Sequence, residues 1–350
     1  MSLLKETLSK IEGLDEKKMQ EAQDRLDSLT KPPGSLGKLE EIAVKLAGIS
    51  GDVYYKVNQK HHILMAGDHG VVEEGVSAFP AEVTVQMVYN FLHKGAAINV
   101  LADQIGAKVT IVDIGIAGEI EADGLINRKI RKGSSNIAKG PAMSKEEAIL
   151  SLEIGIEMAN NAIKSGANLL GTGEMGIGNT TPSSAIIAAV TDEPLSKLVG
   201  YGTGIDDERL AHKIEVIKKA IDTNKADTND GIDVLTKLGG FEIGGMAGVM
   251  LGAAANKKPV IIDGLISGAA AIVATLIEPE TSNYFIPSHQ SVEPGHSAVY
   301  KYLGLEAMLN LNMRLGEGTG AILAMYLVEA ASDIISGMAT FAEANVSGAE

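Results

Sequence analysis

Residues 171–181 read Gly-Thr-Gly-Glu-Met-Gly-Ile-Gly-Asn-Thr-Thr, with Pro182 directly after them. An apolar run ends at Leu170 and a helix-like run covers 183–190, so the stretch is expected to be a strand-to-helix loop with Pro182 at the first helical position. Glycines in such a loop let backbone N–H groups approach a ligand closely, which is the geometry of a phosphate cradle at a helix N-terminus. The first six residues also match G-x-G-x-x-G, and Asp192 follows at about the distance of a ribose-binding acid. Glu174 argues against a dinucleotide, because a carboxylate inside the cradle would repel a pyrophosphate. It suits a ligand that also carries positive charge.

A second glycine-rich segment, Gly200-Tyr201-Gly202-Thr203-Gly204, precedes Asp206-Asp207 and a helical pattern with Leu210, Ile214, Ile217 and Ile221 on one face. Lys213 falls in the first two turns of that helix, within reach of an anion at the loop. Asp206 and Asp207 form an acidic pair of the kind found in diphosphate-dependent phosphoribosyltransferases, but the Thr-Thr-Gly that should follow is missing, and an N-cap accounts for them. Glu317 stands between two glycines ahead of a long apolar helix, and Asp263 ends a short apolar run. Either could be catalytic. The bland alternatives are a carboxylate favoured by a helix dipole for Glu317 and a helix cap for Asp263. Asp68, His69, His289 and His296 show no metal-ligand spacing, so no metal is expected.

Positioning these groups requires strands that end near one another. Residues 62–66, 109–114, 167–170, 259–262 and 284–287 read as short buried strands, and each is followed by a glycine loop or a lone polar residue. Helical patterns lie between them. A capping box at Ser144–Glu147 opens one such helix, and Gly166 closes it. Strands alternating with helices predict an α/β fold, a doubly wound and mainly parallel Rossmann-like sheet with ligands at the C-terminal strand ends. Residues 2–49 are helical throughout and predict a small helical subdomain. The expected division is 1–58 for that subdomain, completed by the C-terminal segment, 59–340 for the large α/β domain, and 341–350 for a tail. Residues 121–140 read as a solvated loop carrying Lys129, Arg131 and Lys132.

Composition narrows the function classes. With 45 acidic and 30 basic residues among 350, the net charge is -15, and no basic cluster offers a nucleic-acid footprint. The absence of cysteine excludes disulfides, thiol nucleophiles and thiolate metal sites. No apolar leader follows Met1 and no apolar run approaches the roughly 20 residues of a membrane span, so a cytoplasmic protein without membrane partners is expected.

The combination of motifs is more specific than any one loop. Gly-Asp-His-Gly-Val at 67–71, Gly-Val-Ser-Ala-Phe-Pro at 75–80, Gly-Glu-Met-Gly-Ile-Gly-Asn-Thr-Thr at 173–181, Gly-Thr-Gly-Ile-Asp-Asp at 202–207 and Gly-Glu-Gly-Thr-Gly at 316–320 closely resemble the nicotinate-nucleotide dimethylbenzimidazole phosphoribosyltransferases of cobalamin lower-ligand assembly. The resemblance runs from about Lys31 to about Ile335. It implies transfer of phosphoribose from nicotinate mononucleotide to 5,6-dimethylbenzimidazole, giving α-ribazole 5′-phosphate and nicotinate with inversion at the anomeric carbon. It further implies a homodimer that uses no cofactor. The family's general base falls on Glu317, its benzimidazole pocket on Ser77, Gln86 and Leu315, and its nucleotide side on Glu174, Gly176, Gly202, Lys213, Asp263 and Ser291. Asn179, Thr180, Thr203 and Gly204 join that substrate-binding set as loop residues. The chemistry is consistent with this assignment, because a cationic pyridinium leaves without metal or acid assistance, and carboxylates such as Glu174 offset positive charge on ribose as the bond breaks. Two rival readings use the same glycine loop: an NAD-dependent dehydrogenase, and a nucleotide-binding module without turnover.

Overall fold

The protein is described by a computed structural model that covers residues 2–202 and 204–347. Three helices open the chain: α1 (Leu3–Leu8), α2 (Glu16–Asp27) and α3 (Lys38–Ser50). Ser2 and Asp15 start the first two by accepting from the Lys5 and Lys18 N–H groups, and Gly51, at φ +73°, stops the third. Alternation then begins with β1 (Lys60–Gly67), α4 (Glu82–Leu92), α5 (Ala97–Gln104), β2 (Lys108–Gly115) and β3 (Leu125–Asn127). The middle of the chain supplies α6 (Lys145–Lys164), β4 (Leu169–Met175), α7 (Thr180–Thr191), α8 (Leu195–Leu198), α9 (Asp207–Asn224), α10 (Gly231–Leu238) and α11 (Phe241–Ala255). The last part comprises β5 (Val260–Ile262), α12 (Leu265–Ile277), β6 (Phe285–Pro287), α13 (Gly295–Leu303), α14 (Thr319–Gly337) and α15 (Phe341–Ala344).

The six strands form one sheet in the order β3-β2-β1-β4-β5-β6, and every neighbouring pair is parallel. This is the doubly wound arrangement expected from the strand-helix alternation. Successive strands run outward one way from β1 and the other way from β4, so the order reverses between them. At such a switch point the loops after the two strands part and leave a crevice at their carboxyl ends.

Strand periodicity divides the core. Ile63 and Met65 of β1 point into a layer built on α6, α10, α11 and α12, whereas Leu64 and Ala66 point into a second layer with α3, α5 and α14. All four side chains are essentially without solvent contact. Burial on both faces is what a parallel sheet demands, and it explains why the strand sequences are apolar throughout rather than alternating.

The N-terminal helices are shared between the layers. Helix α1 lies on α6 and α11, and its Leu4 N–H donates to Glu153 Oε1 at 3.0 Å. Helices α2 and α3 pack instead with α14, and the segment after α14 closes over them: the Thr30 N–H donates to the Ala339 carbonyl at 3.1 Å and Arg25 Nη2 to the Met338 carbonyl at 2.9 Å.

Three local expectations change. The segment 121–140 contains the edge strand β3, which is too short and too exposed to show a strand pattern. Its cations are not simply solvated: Lys129 Nζ lies 3.4 Å from buried Asp113, and Arg131 bonds Glu147 at 2.8 Å while stacking 5.2 Å from the Phe241 ring centre. Of the three, Lys132 alone keeps the exposed character expected of them all. Finally, α14 is long and apolar enough to cross a membrane by length and composition. Here half of it is buried against the sheet and α3, and its Glu329 pairs with Lys60 at 2.7 Å, so it serves as a core helix.

Candidate active site

A cavity of about 440 Å³ opens at the C-terminal ends of β4 and β5, beside the switch point. One part of its wall is made of carboxylates. Glu174, near the end of β4, accepts a hydrogen bond from Asn179 Nδ2 through Oε2 and one from the Glu317 N–H, at 3.3 Å, through Oε1. Burial raises its pKa to about 8, with smaller contributions from the charges of Asp263 and Glu242.

Asp263 follows β5, yet it caps a helix other than its own. Its Oδ2 accepts from the Gly318 N–H at 3.1 Å and its Oδ1 from the Ala321 N–H at 3.0 Å, so it holds the first turn of α14. The bland expectation of a cap was right in kind. Its target is 55 residues further on. Burial pushes the Asp263 carboxyl upward, against the nearby His289 and the α14 N–H groups.

Glu317 sits just ahead of α14 at φ +61°, a left-handed conformation that costs a non-glycine residue about 1–3 kcal/mol and persists only where its surroundings impose it. Those surroundings are visible. His62, fully buried in β1, donates from Nε2 to the Glu317 carbonyl at 3.1 Å. A Cβ on Gly318 would lie 1.9 Å from the His62 ring and a Cβ on Gly173 only 2.3 Å from it, so the imidazole fills space that two glycines vacate. The Glu317 side chain is 6% exposed, and its Oε2 has no hydrogen-bond partner among the described residues. Burial raises its pKa to about 7, opposed by a hydrogen bond from the Ile98 N–H in the first turn of α5. A carboxylate with one free oxygen and a pKa near neutrality can take a proton at physiological pH.

A buried cation stands behind another part of the wall. Lys213 of α9 is 1% exposed, and its Nζ donates to Thr180 Oγ1, in the first turn of α7, at 2.7 Å. Burial lowers its pKa to about 8, and the attraction of Glu293 opposes the shift. Gly202 lies alongside at φ +52°; its carbonyl accepts from Arg314 Nη1 at 2.9 Å and its N–H is directed to the Glu293 carboxylate. Phe79, Val83, Met87, Met175, Leu265 and Leu315 give the cavity an apolar slot that suits a flat ring.

A family model described as phosphoribosyltransferase matches residues 11–346. A relative from Desulforamulus reducens is 56% identical over 349 residues, covering 99% of both chains, and bears the name nicotinate-nucleotide–dimethylbenzimidazole phosphoribosyltransferase. One of the same name from Chloroflexus aggregans is 53% identical with the same coverage. A crystal structure of CobT from Thermus thermophilus superposes with a TM-score of 0.92 at 43% identity, over 95% of this chain and all of that one. This chain belongs to the nicotinate-nucleotide–dimethylbenzimidazole phosphoribosyltransferase family. It is a glycosyltransferase of the pentosyl class.

Of the residues anticipated from the sequence, Glu174, Gly176, Asn179, Thr180, Gly202, Asp263, Ser291, Leu315 and Glu317 all line this one cavity of the phosphoribosyltransferase. Lys213 stands behind Thr180 and reaches the cavity through it. Ser77 and Gln86 are off the wall. Ser77 Oγ accepts from the Phe79 N–H at 3.2 Å, and Gln86 is exposed on α4 beside Met87. Gly204 lies in the loop after Gly202, also off the wall, and Thr203 lies outside the described residues.

The Gly171–Thr181 stretch is where expectation and structure differ most. Its first five residues are strand, not loop, and Pro182 is the third helical residue of α7 rather than the first. Gly171 and Gly173 serve packing against His62 and α14, so the G-x-G-x-x-G match is not a phosphate turn. Asp192, the supposed ribose acid, is exposed at the far end of α7, one helix length from the cavity. The dehydrogenase reading falls with these two corrections. Asp206 does cap α9, through the Arg209 N–H at 2.9 Å.

Of the groups weighed as metal ligands, His289 lines the cavity, its Nδ1 3.1 Å from Ser288 Oγ, and the others are held by protein partners. Asp68 accepts from Thr84 Oγ1 at 2.6 Å and from the Ala117 N–H at 2.8 Å; His69 pairs with Glu242 at 2.7 Å; His296 Nδ1 accepts from the Ser291 N–H at 3.0 Å. Sequence reasoning missed the roles of His62 and Glu242. The one signal available was a charged residue, Glu242, in a helix otherwise free of charge, which needs a buried partner.

Proposed function

We propose that this chain transfers phosphoribose from nicotinate mononucleotide to 5,6-dimethylbenzimidazole, giving α-ribazole 5′-phosphate and nicotinate with inversion at the anomeric carbon. The observation that carries this reading is one cavity lined by the carboxylates of Glu174, Asp263 and Glu317, by a glycine loop with Lys213 behind it, and by apolar side chains. The 5′-phosphate would lie at Gly176, Gly202 and Thr180, with Lys213 as counter-charge. Ribose would lie over Glu174 and Asp263, and the benzimidazole in the slot beside Leu315.

One ring nitrogen of the benzimidazole attacks C1′ from the face opposite nicotinate. The C1′–N bond to nicotinate breaks, and its electron pair neutralises the pyridinium nitrogen. As positive charge passes to ribose, carboxylates near C1′ stabilise it. The proton on the second benzimidazole nitrogen goes to the free Oε2 of Glu317, which acts as general base. Ser77 and Gln86 are assigned to the ring by the family resemblance alone; they neighbour Phe79 and Met87, which line the cavity. We further read the protein as a cytoplasmic homodimer: the family resemblance carries the dimer, and a phosphorylated substrate that does not cross a bilayer unaided favours the cytoplasm.

Incubating the protein with both substrates should release nicotinate and form the α-anomer of the ribotide, measured by chromatography and nuclear magnetic resonance. Binding of the mononucleotide without turnover would instead identify a nucleotide-binding module.

A further inference from the structure

The Glu293 carboxylate has no role in the transfer as derived, yet it lines the cavity at the lysine end. It is 7% exposed, and its Oε2 has no hydrogen-bond partner among the described residues. It accepts the Gly202 N–H, and Lys213 and Arg314 attract it through space. A Cβ on Gly200 would lie 2.2 Å from Oε2, so the glycine loop is shaped around this carboxylate. The Glu293 N–H is tied to Ser291 Oγ at 3.2 Å, which fixes the residue beside the slot.

These donors are the ones a substrate phosphate would use. A carboxylate and a phosphate dianion cannot share one desolvated set of donors without strong like-charge repulsion. We propose that Glu293 is a specificity-determining residue whose carboxylate stands in the phosphate slot of the free protein and yields it only to a phosphate that carries a nucleoside. Free phosphate brings no ribose or base contacts to offset the displacement and is screened out. The nucleotide, anchored at the carboxylate end and the apolar slot, displaces Glu293. This inference rests on the proposed phosphoribosyl transfer and adds how that site selects its donor.

The test compares wild type with Glu293→Gln and Glu293→Ala, using inorganic phosphate as the probe in calorimetric titration and in inhibition of turnover. Glutamine keeps the acceptor for the Gly202 N–H and removes the charge; alanine removes both. Both variants should bind inorganic phosphate roughly ten-fold more tightly or better, the order of effect expected when a close like charge is removed. KM for nicotinate mononucleotide should fall while kcat changes little. If both variants bind phosphate no better than wild type, or more weakly, Glu293 does not guard the slot. Loss of folding is read separately: if one variant fails to unfold cooperatively, the other decides. Failure of wild type to turn over nicotinate mononucleotide would strike the transfer reading, and the phosphate comparison would still decide the role of Glu293.

Discussion

The cavity has a carboxylate end, where Glu174, Asp263 and Glu317 come together, and a lysine end, where Lys213 is buried behind Thr180 and beside Gly202. Burial moves both ends toward neutrality, raising Glu174 to about 8 and Glu317 to about 7 and lowering Lys213 to about 8. The environments behind them differ. Each carboxylate is held by backbone N–H groups from another element: Glu317 and Ile98 serve the two glutamates, and Gly318 and Ala321 serve Asp263. Among the described residues, the lysine is held by a single hydroxyl and by the through-space attraction of a carboxylate. The carboxylate end is therefore preorganised, as chemistry on a developing charge requires, while the lysine end can exchange partners, as binding and release require.

The largest expected effect breaks the preorganised end. Glu317→Gln keeps shape and hydrogen bonding but cannot accept the benzimidazole proton. Turnover should fall about 10²-fold or more, with mononucleotide affinity little changed. Steady-state kinetics with both substrates checks this. Near-normal turnover would leave charge stabilisation and positioning as the main catalytic effects.

That contrast was only partly legible in the sequence. The strands after which the functional groups fall, the N-cap at Asp206 and the buried α12 and α14 follow from local pattern, because burial on both faces of a parallel sheet writes itself as apolar runs. Glu317 stood out as a lone charge between two glycines, and Lys213 as a cation in the first two turns of the helix that follows a glycine loop. The preorganisation did not show. It depends on His62 reaching Glu317 across 255 residues and His69 reaching Glu242 across 173, and no window of sequence joins such partners. Gly171 and Gly173 misled for a related reason: a glycine that makes room for a distant imidazole looks the same in sequence as one that makes a turn.

A smaller effect tests the exchangeable end. Lys213→Ala should weaken nicotinate mononucleotide binding by roughly 1–3 kcal/mol, the scale of a hydrogen bond to a charged group. Equilibrium titration with each substrate separately provides the check. A loss confined to dimethylbenzimidazole would reverse the assignment of the two ends.

The smallest effect sharpens the comparison through pH. Glu317 must be ionised to act as a base, so kcat/KM should rise with pH through about 7. Lys213 must be charged to hold phosphate, so kcat/KM should fall as pH passes about 8. Together they predict a narrow bell; because Glu174, raised to about 8, must also ionise to offset charge on ribose, the acid limb shifts upward rather than vanishing in Glu317→Gln, whereas the alkaline limb vanishes in Lys213→Ala. A flat profile across both pKa values would show that neither group titrates in the free enzyme in the way its burial implies.

The cap that Asp263 places on α14 also bears on how the protein is made. A ribosome delivers the sheet, Glu174 and Asp263 before it delivers Glu317, and the N–H groups that satisfy the Asp263 carboxylate belong to Gly318 and Ala321. Until α14 emerges, β5 ends in a carboxylate with neither backbone partner, and His62 has no carbonyl to hold. The catalytic corner is thus the last part of the sheet edge to be completed during synthesis. A nascent chain stopped before residue 318 carries most of the fold's mass but none of the geometry of its general base.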